Sequence, residues 1–161
     1  MSTLLLVIDV QKDFINKNTI KVLPKIEELI ESNTYENVIF TQFVNSKNGP
    51  FAKKLGYKGC TTKEGQEIAI NTDNRLVIKK PGYTAFNNEL KEYISKYNID
   101  KIYLCGFDTD ACVLKTALDL FENNYDAYIL KDYCMSSEGI ETHEFSIKLL
   151  TRLIGRDKII I

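Results

Sequence analysis

Three residue types that could act together in covalent catalysis follow three separate apolar runs of the chain. Asp9 follows the first run, Lys80 closes the third, and Cys112 lies in the turn after the fourth. The carboxyl ends of parallel strands meet at one edge of a sheet, which is where open α/β proteins bind ligands. If the runs are parallel strands, a carboxylate, an ammonium and a thiol share that edge.

These three groups suit nucleophilic catalysis. Cys112 lies at or near the N-terminus of a predicted helix, whose free N–H groups and dipole lower a thiol pKa and could stabilise an oxyanion. Asp9 could accept the thiol proton, and Lys80 would keep that carboxylate ionised while favouring the thiolate. The residues also have structural interpretations. Cys112 could be inert packing, Asp9 a cap or turn former, and Lys79 and Lys80 a solvated strand end.

The single histidine and the four cysteines limit the other hydrolytic and metal chemistries. A centre that needs two or three histidines is excluded, and we expect His143 to be a partly solvated helix residue. The cysteines are Cys60, Cys105, Cys112 and Cys134, and no two of them form a C-x-x-C pair. A structural zinc site is therefore not expected.

The composition favours one globular domain over residues 1–161 and argues against polyanionic partners. Twenty-one Lys and Arg face 22 Asp and Glu, for a net charge of −1. No basic field remains for nucleic acid or a membrane surface. The run Thr3–Val10 is too short to span a bilayer and lacks the flanks of a signal peptide. We therefore expect a cytoplasmic protein with reduced thiols.

Short runs rich in Val, Ile and Leu alternate with segments of helical periodicity. The predicted strands are Leu4–Ile8, Val38–Val44, Leu76–Lys80, Lys101–Gly106, Ala127–Leu130 and Lys158–Ile161. The predicted helices are Lys21–Asn33, Asn87–Tyr97, Cys112–Asn123 and Gly139–Leu153. This alternation predicts a three-layer α/β/α sandwich with a mainly parallel, six-stranded Rossmann-like sheet and helices on both faces. The glycine-containing stretch Asn45–Asp73 lacks a strand signal and is predicted to be a long excursion, of the kind that often serves function.

Three segments resemble the isochorismatase-like cysteine hydrolases, the superfamily that includes the nicotinamidases. They are Leu5–Phe14, Lys80–Phe86 and Gly106–Val113, which occur in the family's order along nearly the whole chain. The resemblance implies that Cys112 is the nucleophile, Asp9 the general base and Lys80 the residue that tunes both.

The resemblance also implies an oxyanion hole and a reaction. The hole would use the backbone N–H groups of Asp108 and Cys112, after a cis peptide at Phe107–Asp108. The reaction would be hydrolysis of a small-molecule amide through a thioester, with no cofactor. Lys80 matches the family lysine in its spacing to Tyr83, and strand alternation places Lys79 on the opposite face. The family's tendency to self-associate implies a homodimer.

The chain departs from the nicotinamidases, which bind a metal through an aspartate and two histidines after the second strand. Residues Phe40–Phe51 contain no histidine, so we expect a metal-independent amidase. Candidate substrate-binding residues are Gln11, Phe14, Phe43, Phe51, Tyr83 and Thr109. The aromatic ones could equally be core, and Gln11 and Thr109 could be turn residues.

Other functions remain open at this level. The same three groups could hydrolyse an ester or thioester, or the domain could bind a small molecule without catalysis. A flavodoxin-like nucleotide or flavin binder is disfavoured, because no glycine-rich phosphate loop follows the first strand.

Overall fold

Six parallel strands form one sheet in the computed structural model, which describes residues 2–161. The strands are β1 (Ser2–Ile8), β2 (Asn37–Phe43), β3 (Val77–Lys80), β4 (Ile99–Gly106), β5 (Asp126–Cys134) and β6 (Ile159–Ile160). Their order across the sheet is β3-β2-β1-β4-β5-β6. Every neighbouring pair is parallel. This architecture confirms the predicted α/β fold.

Helices cover both faces of the sheet. They are α1 (Leu23–Glu31), α2 (Pro50–Leu55), α3 (Lys63–Gln66), α4 (Asn88–Lys96), α5 (Leu114–Glu122) and α6 (Ile140–Ile154). Within residues 2–161, no helix combines the length and apolar character needed to cross a membrane.

The central strand β1 divides its side chains between two apolar cores, because successive residues of a strand point to opposite faces. Leu4, Leu6 and Ile8 pack in the core beneath α4, α5 and α6. Leu5 and Val7 pack in the core beneath α1. A strand that is buried on both faces needs a continuous apolar run, which is why this segment shows no polar alternation.

Among the element boundaries that differ from the predicted ones, two lie next to the candidate site. Residues Thr109–Val113 form a π-helical turn, so α5 begins at Leu114 rather than at Cys112. Strand β5 continues to Cys134, beyond the predicted end at Leu130, because its later residues still pair with β4. The excursion 45–73 contains the short helices α2 and α3.

The reversal of strand order lies between β1 and β4, beside the carboxyl ends of β1, β2 and β3. Gly106, the last residue of β4, has a φ of 113°, and a Cβ there would lie 2.1 Å from the carbonyl oxygen of Ile8. Only glycine therefore lets β4 approach β1 this closely. The chain then leaves the sheet directly above the end of β1.

Candidate active site

A buried ion pair joins the ends of β1 and β3. The Lys80 Nζ lies 2.6 Å from Asp9 Oδ2, and both side chains are 0% exposed. The same ammonium donates to the carbonyl oxygens of Gly82, at 2.7 Å, and Tyr83, at 3.0 Å. Burial acts to lower the pKa of Lys80, but the nearby Asp9 and Cys112 raise it above its ordinary value. The ammonium is therefore charged at neutral pH.

Thr41 on β2 fixes the orientation of Asp9. Its Oγ1 donates to Asp9 Oδ1 at 2.6 Å and accepts from the Asp9 backbone N–H at 3.2 Å. Asp9 adopts a φ of 47°, a left-handed conformation that is uncommon outside glycine and often found at functional sites. With Oδ1 bound by Thr41, Oδ2 is the oxygen that faces Lys80.

Removing one partner of this pair tests the strand register. Lys80→Ala leaves the Asp9 carboxylate buried without its cation, so we expect a loss of stability of about 3–5 kcal/mol. Lys79→Ala removes an exposed side chain on the other face of β3, and we expect a change within about 0.5 kcal/mol. Urea unfolding of both variants measures the difference. Equal effects would contradict the placement of Lys80.

Cys112 lies in the π-helical turn, is 6% exposed, and is near enough to Asp9 and Lys80 for their charges to act on its thiol. Burial, followed by the Asp9 charge, raises the pKa of this thiol well above its ordinary value, while Lys80 acts in the opposite direction. Burial is the largest of these effects and outweighs the favourable charge of Lys80. A lowering of this pKa by the helix N-terminus stays a prediction. Because the net direction is upward, a base that accepts the thiol proton would favour attack by the sulfur.

The peptide bond Phe107–Asp108 is cis, as the resemblance implied. Among residues 2–161, the structure shows no hydrogen-bond acceptor for the Asp108 backbone N–H. The carboxylate of Asp108 accepts the Ser137 backbone N–H at 2.9 Å and the Ser137 hydroxyl at 2.6 Å. The role of the Asp108 and Cys112 N–H groups as an oxyanion hole stays a prediction.

Burial raises the pKa of the Asp108 carboxyl from 3.8 to about 6, although the hydrogen bonds from Ser137 act in the opposite direction. A raised acid pKa contributes stability that is present below pH 3.8 and lost as pH rises through about 6. One pKa unit corresponds to about 1.4 kcal/mol. We expect Asp108→Asn to be stabilised over wild type by about 3 kcal/mol at pH 8 and by much less at pH 4. Urea unfolding at both pH values measures this, and an equal gain at both would contradict the shift.

A cavity of about 320 Å³ opens beside Cys112. Its aromatic lining residues are Phe14, Phe43, Phe51, Tyr57 and Tyr83, and Asp108, Asp110, Ser137 and Glu138 are its polar ones. The volume lies at the small end of ligand sites. Phe14, Phe43, Phe51 and Tyr83 thus lie where the sequence predicted, and their contact with a substrate stays a prediction.

Two other predicted substrate-binding residues are turned away from the cavity. Gln11 donates to the carbonyl oxygens of Phe43 and Gln66 and accepts the Phe43 N–H. It therefore holds the excursion against the end of β2, and the hydrogen bonds of its amide go to the backbone rather than toward the cavity. Thr109 is 0% exposed, and its hydroxyl bonds His143 Nδ1 at 2.8 Å. Both residues position the walls of the cavity rather than line it.

The prediction of a partly solvated His143 is wrong. This side chain is 3% exposed beneath the π-helical turn, because Thr109 supplies the hydrogen bond that a buried imidazole needs. Burial also lowers the pKa of His143, which favours the neutral ring.

Sequence reasoning missed Thr41, Leu55, Tyr57, Asp110, Ser137 and Glu138, all of which contact Asp9 or line the cavity. Ser137 and Glu138 follow the end of β5. Because ligands bind beyond the carboxyl ends of parallel strands, the sequence positions of these two residues could have identified them. Leu55 and Tyr57 lie in the excursion, where no periodicity signals which side chains face inwards.

A metal centre does not fit this site. Across residues 2–161, no three His, Cys, Asp or Glu side chains are grouped so as to hold a metal ion. The residues after β2 offer the amide of Asn45, which donates to the carbonyl oxygens of Tyr57 and Gly59.

The family model described as "Isochorismatase domain" matches residues 3–156. Isochorismatase family protein 2A of Dictyostelium discoideum is 28% identical over 151 residues, covering 87% of this chain and 70% of that protein. The matches to two further curated relatives cover 36% and 49% of their length.

Solved structures share the fold. An isochorismatase-like hydrolase from Alkaliphilus metalliredigens has a TM-score of 0.86 at 20% identity, covering 99% of this chain and 94% of that one. The pyrazinamidase of Pyrococcus horikoshii, in complex with zinc, has a TM-score of 0.83 at 22% identity, with 99% of both chains covered.

Proposed function

We propose that this chain, which belongs to the isochorismatase domain family, is a cysteine amidohydrolase. It would cleave the C–N bond of a small amide by a triad of Asp9, Lys80 and Cys112, without a metal ion. The observation that supports this best is the fully buried Asp9–Lys80 ion pair within reach of a thiol at a cavity wall. Burying two charges often lowers the stability of a fold relative to apolar packing. A function explains this ion pair better than stability does.

The acylation step follows from the three side chains. As the Cys112 sulfur attacks the amide carbon, its proton passes to Asp9 and a C–S bond forms. The carbonyl oxygen becomes an oxyanion that the N–H groups of Asp108 and Cys112 stabilise. The C–N bond then breaks, and the leaving nitrogen takes the proton from Asp9, so that ammonia or an amine departs.

Deacylation uses the same base. Asp9 takes a proton from water as the water oxygen attacks the thioester carbon. The C–S bond breaks, the acid leaves, and the proton on Asp9 returns to sulfur. Lys80 keeps its charge throughout and favours the thiolate of Cys112. A reducing compartment such as the cytoplasm would preserve the thiol.

A panel of small primary amides, assayed by ammonia release, tests the proposal, and the matching esters and thioesters are assayed in parallel by release of the acid. We expect amides to be hydrolysed and iodoacetamide to block turnover by alkylating Cys112. Cys112 is the cysteine among the cavity-lining residues of the described chain, whereas Cys60, Cys105 and Cys134 are buried elsewhere. Peptide mass mapping checks the site of alkylation.

Full turnover by a protein alkylated at Cys112 would reject the triad. Hydrolysis confined to the esters and thioesters would reject the amidase assignment but not the nucleophile.

A further inference from the structure

The cavity beside Cys112 has two chemically distinct walls. One wall is aromatic, with the Phe51 ring 4.9 Å from the centroids of both Phe43 and Tyr83 in edge-to-face geometry. The remaining lining residues include Asp108, Asp110 and Glu138, which we call the acidic wall. Aromatic faces and carboxylates both attract cations, the first through the ring quadrupole and the second through charge.

The acidic wall is not neutralised by basic residues of the same cavity. Among residues 2–161, no Lys, Arg or His lines the cavity. Lys80 is fully buried and binds Asp9 and two carbonyl oxygens. Its Nζ also lies 5.5 Å from the centroid of the Phe43 ring, which leaves Phe51 and Tyr83 as the rings of the aromatic wall without a cation from this residue. Lys53 and Lys54 on α2 are exposed to solvent and lie outside the lining set.

Asp110 is the carboxylate best placed to take a ligand. Its Oδ1 is buried and has no hydrogen-bond partner among the described residues. An unpaired buried oxygen costs free energy, which a hydrogen-bond donor on a bound ligand would recover. Asp108 is already bonded by Ser137, and Glu138 is exposed at the rim. Asp110 stands two residues before the nucleophile, so a cation bound there lies close to the reacting sulfur.

We propose that the substrate of this site is a small amide that carries a cationic group, such as an ammonium, held between the aromatic wall and Asp110. This inference rests on the proposed amidohydrolase function and specifies its substrate class. The scissile carbonyl faces Cys112 while the charged group enters the acidic wall. Anionic amides are disfavoured, because they would add a further negative charge to that wall.

Three primary amides of nearly equal size test the charge preference, namely β-alaninamide, butyramide and succinamate. They carry an ammonium, a methyl and a carboxylate at the end opposite the amide. We expect kcat/KM to be at least about tenfold higher for β-alaninamide than for butyramide, and lowest for succinamate, since the carboxylate of Asp110 attracts an ammonium and repels a carboxylate. A preference for butyramide or succinamate would overturn the proposal.

The variant Asp110→Asn assigns the preference to one residue. We expect the ratio of kcat/KM for β-alaninamide over butyramide to fall about tenfold in this variant. Glu122→Gln, an exposed carboxylate on α5 outside the cavity, is the matched control and should keep the wild-type ratio. An unchanged ratio in Asp110→Asn would show that Asp110 does not select the charge.

Protection of Cys112 from iodoacetamide separates cation binding from turnover. We expect tetramethylammonium to slow alkylation of wild-type Cys112 in a saturable way, whereas tert-butanol of similar size does not. Protection without hydrolysis of any amide would support the cation site and reject the proposed function. Hydrolysis without protection, and without preference for β-alaninamide, would support the function and reject the cation site.

Discussion

Replacing Cys112 with alanine is expected to lower kcat for amide hydrolysis by on the order of 10⁴-fold or more, because it removes the one thiol among the cavity-lining residues of the described chain. The substitution removes only the sulfur from a side chain in a packed turn. The fold should therefore survive, with a stability change of about 1 kcal/mol. Steady-state ammonia release and urea unfolding on the same preparation measure both effects.

Two further variants identify the sulfur as the source of that loss. Cys112→Ser keeps the size of the side chain but replaces the thiol by a hydroxyl that is far harder to deprotonate, so we expect almost no activity. Cys105→Ala removes a thiol on the opposite core, beneath α1, and should keep turnover. Activity in Cys112→Ala near the wild-type level would reject the cysteine mechanism.

The positions of Asp9, Lys80 and Cys112 could be predicted because each follows a strand, and parallel strands bring their carboxyl ends to one edge. The periodicity of the chain is enough to place those ends. Alternation along β3 implies that only one of the two lysines reaches the site, and the resemblance selected Lys80 by its spacing to Tyr83. The structure buries Lys80 and exposes Lys79. The strand pattern thus predicted which strand ends meet, and the resemblance selected the residues.

The environment of those side chains could not be predicted in the same way. The pKa of Cys112 depends on how completely the turn and the aromatic wall exclude water, which no local pattern records. His143 is buried because Thr109, 34 positions away, supplies its hydrogen bond. Tyr57 reaches the cavity from the segment between α2 and α3, where no periodicity predicts which side chains face inwards. Long-range packing determined these features, and they set the reactivity of the thiol.

Asp9→Asn tests the base and the buried charge at once. Asparagine cannot accept the thiol proton, so we expect kcat to fall about 10²–10⁴-fold. It tolerates the left-handed φ of this position and can keep the contact with Thr41, so strain is not added. The Lys80 ammonium, however, loses its counter-charge in a buried site. We therefore also expect stability to fall by about 3–5 kcal/mol in urea unfolding.

The double variant Asp9→Asn with Lys80→Met separates the two effects. Removing both charges abolishes the uncompensated ammonium, so stability should recover to near or above that of wild type, since apolar replacements of buried ion pairs are often neutral or stabilising. Activity should not recover, because the base is still missing. If activity returned together with stability, the loss in Asp9→Asn would reflect folding alone and Asp9 would not be the base. A stable but inactive double variant means that the ion pair is maintained for catalysis at a cost to the fold.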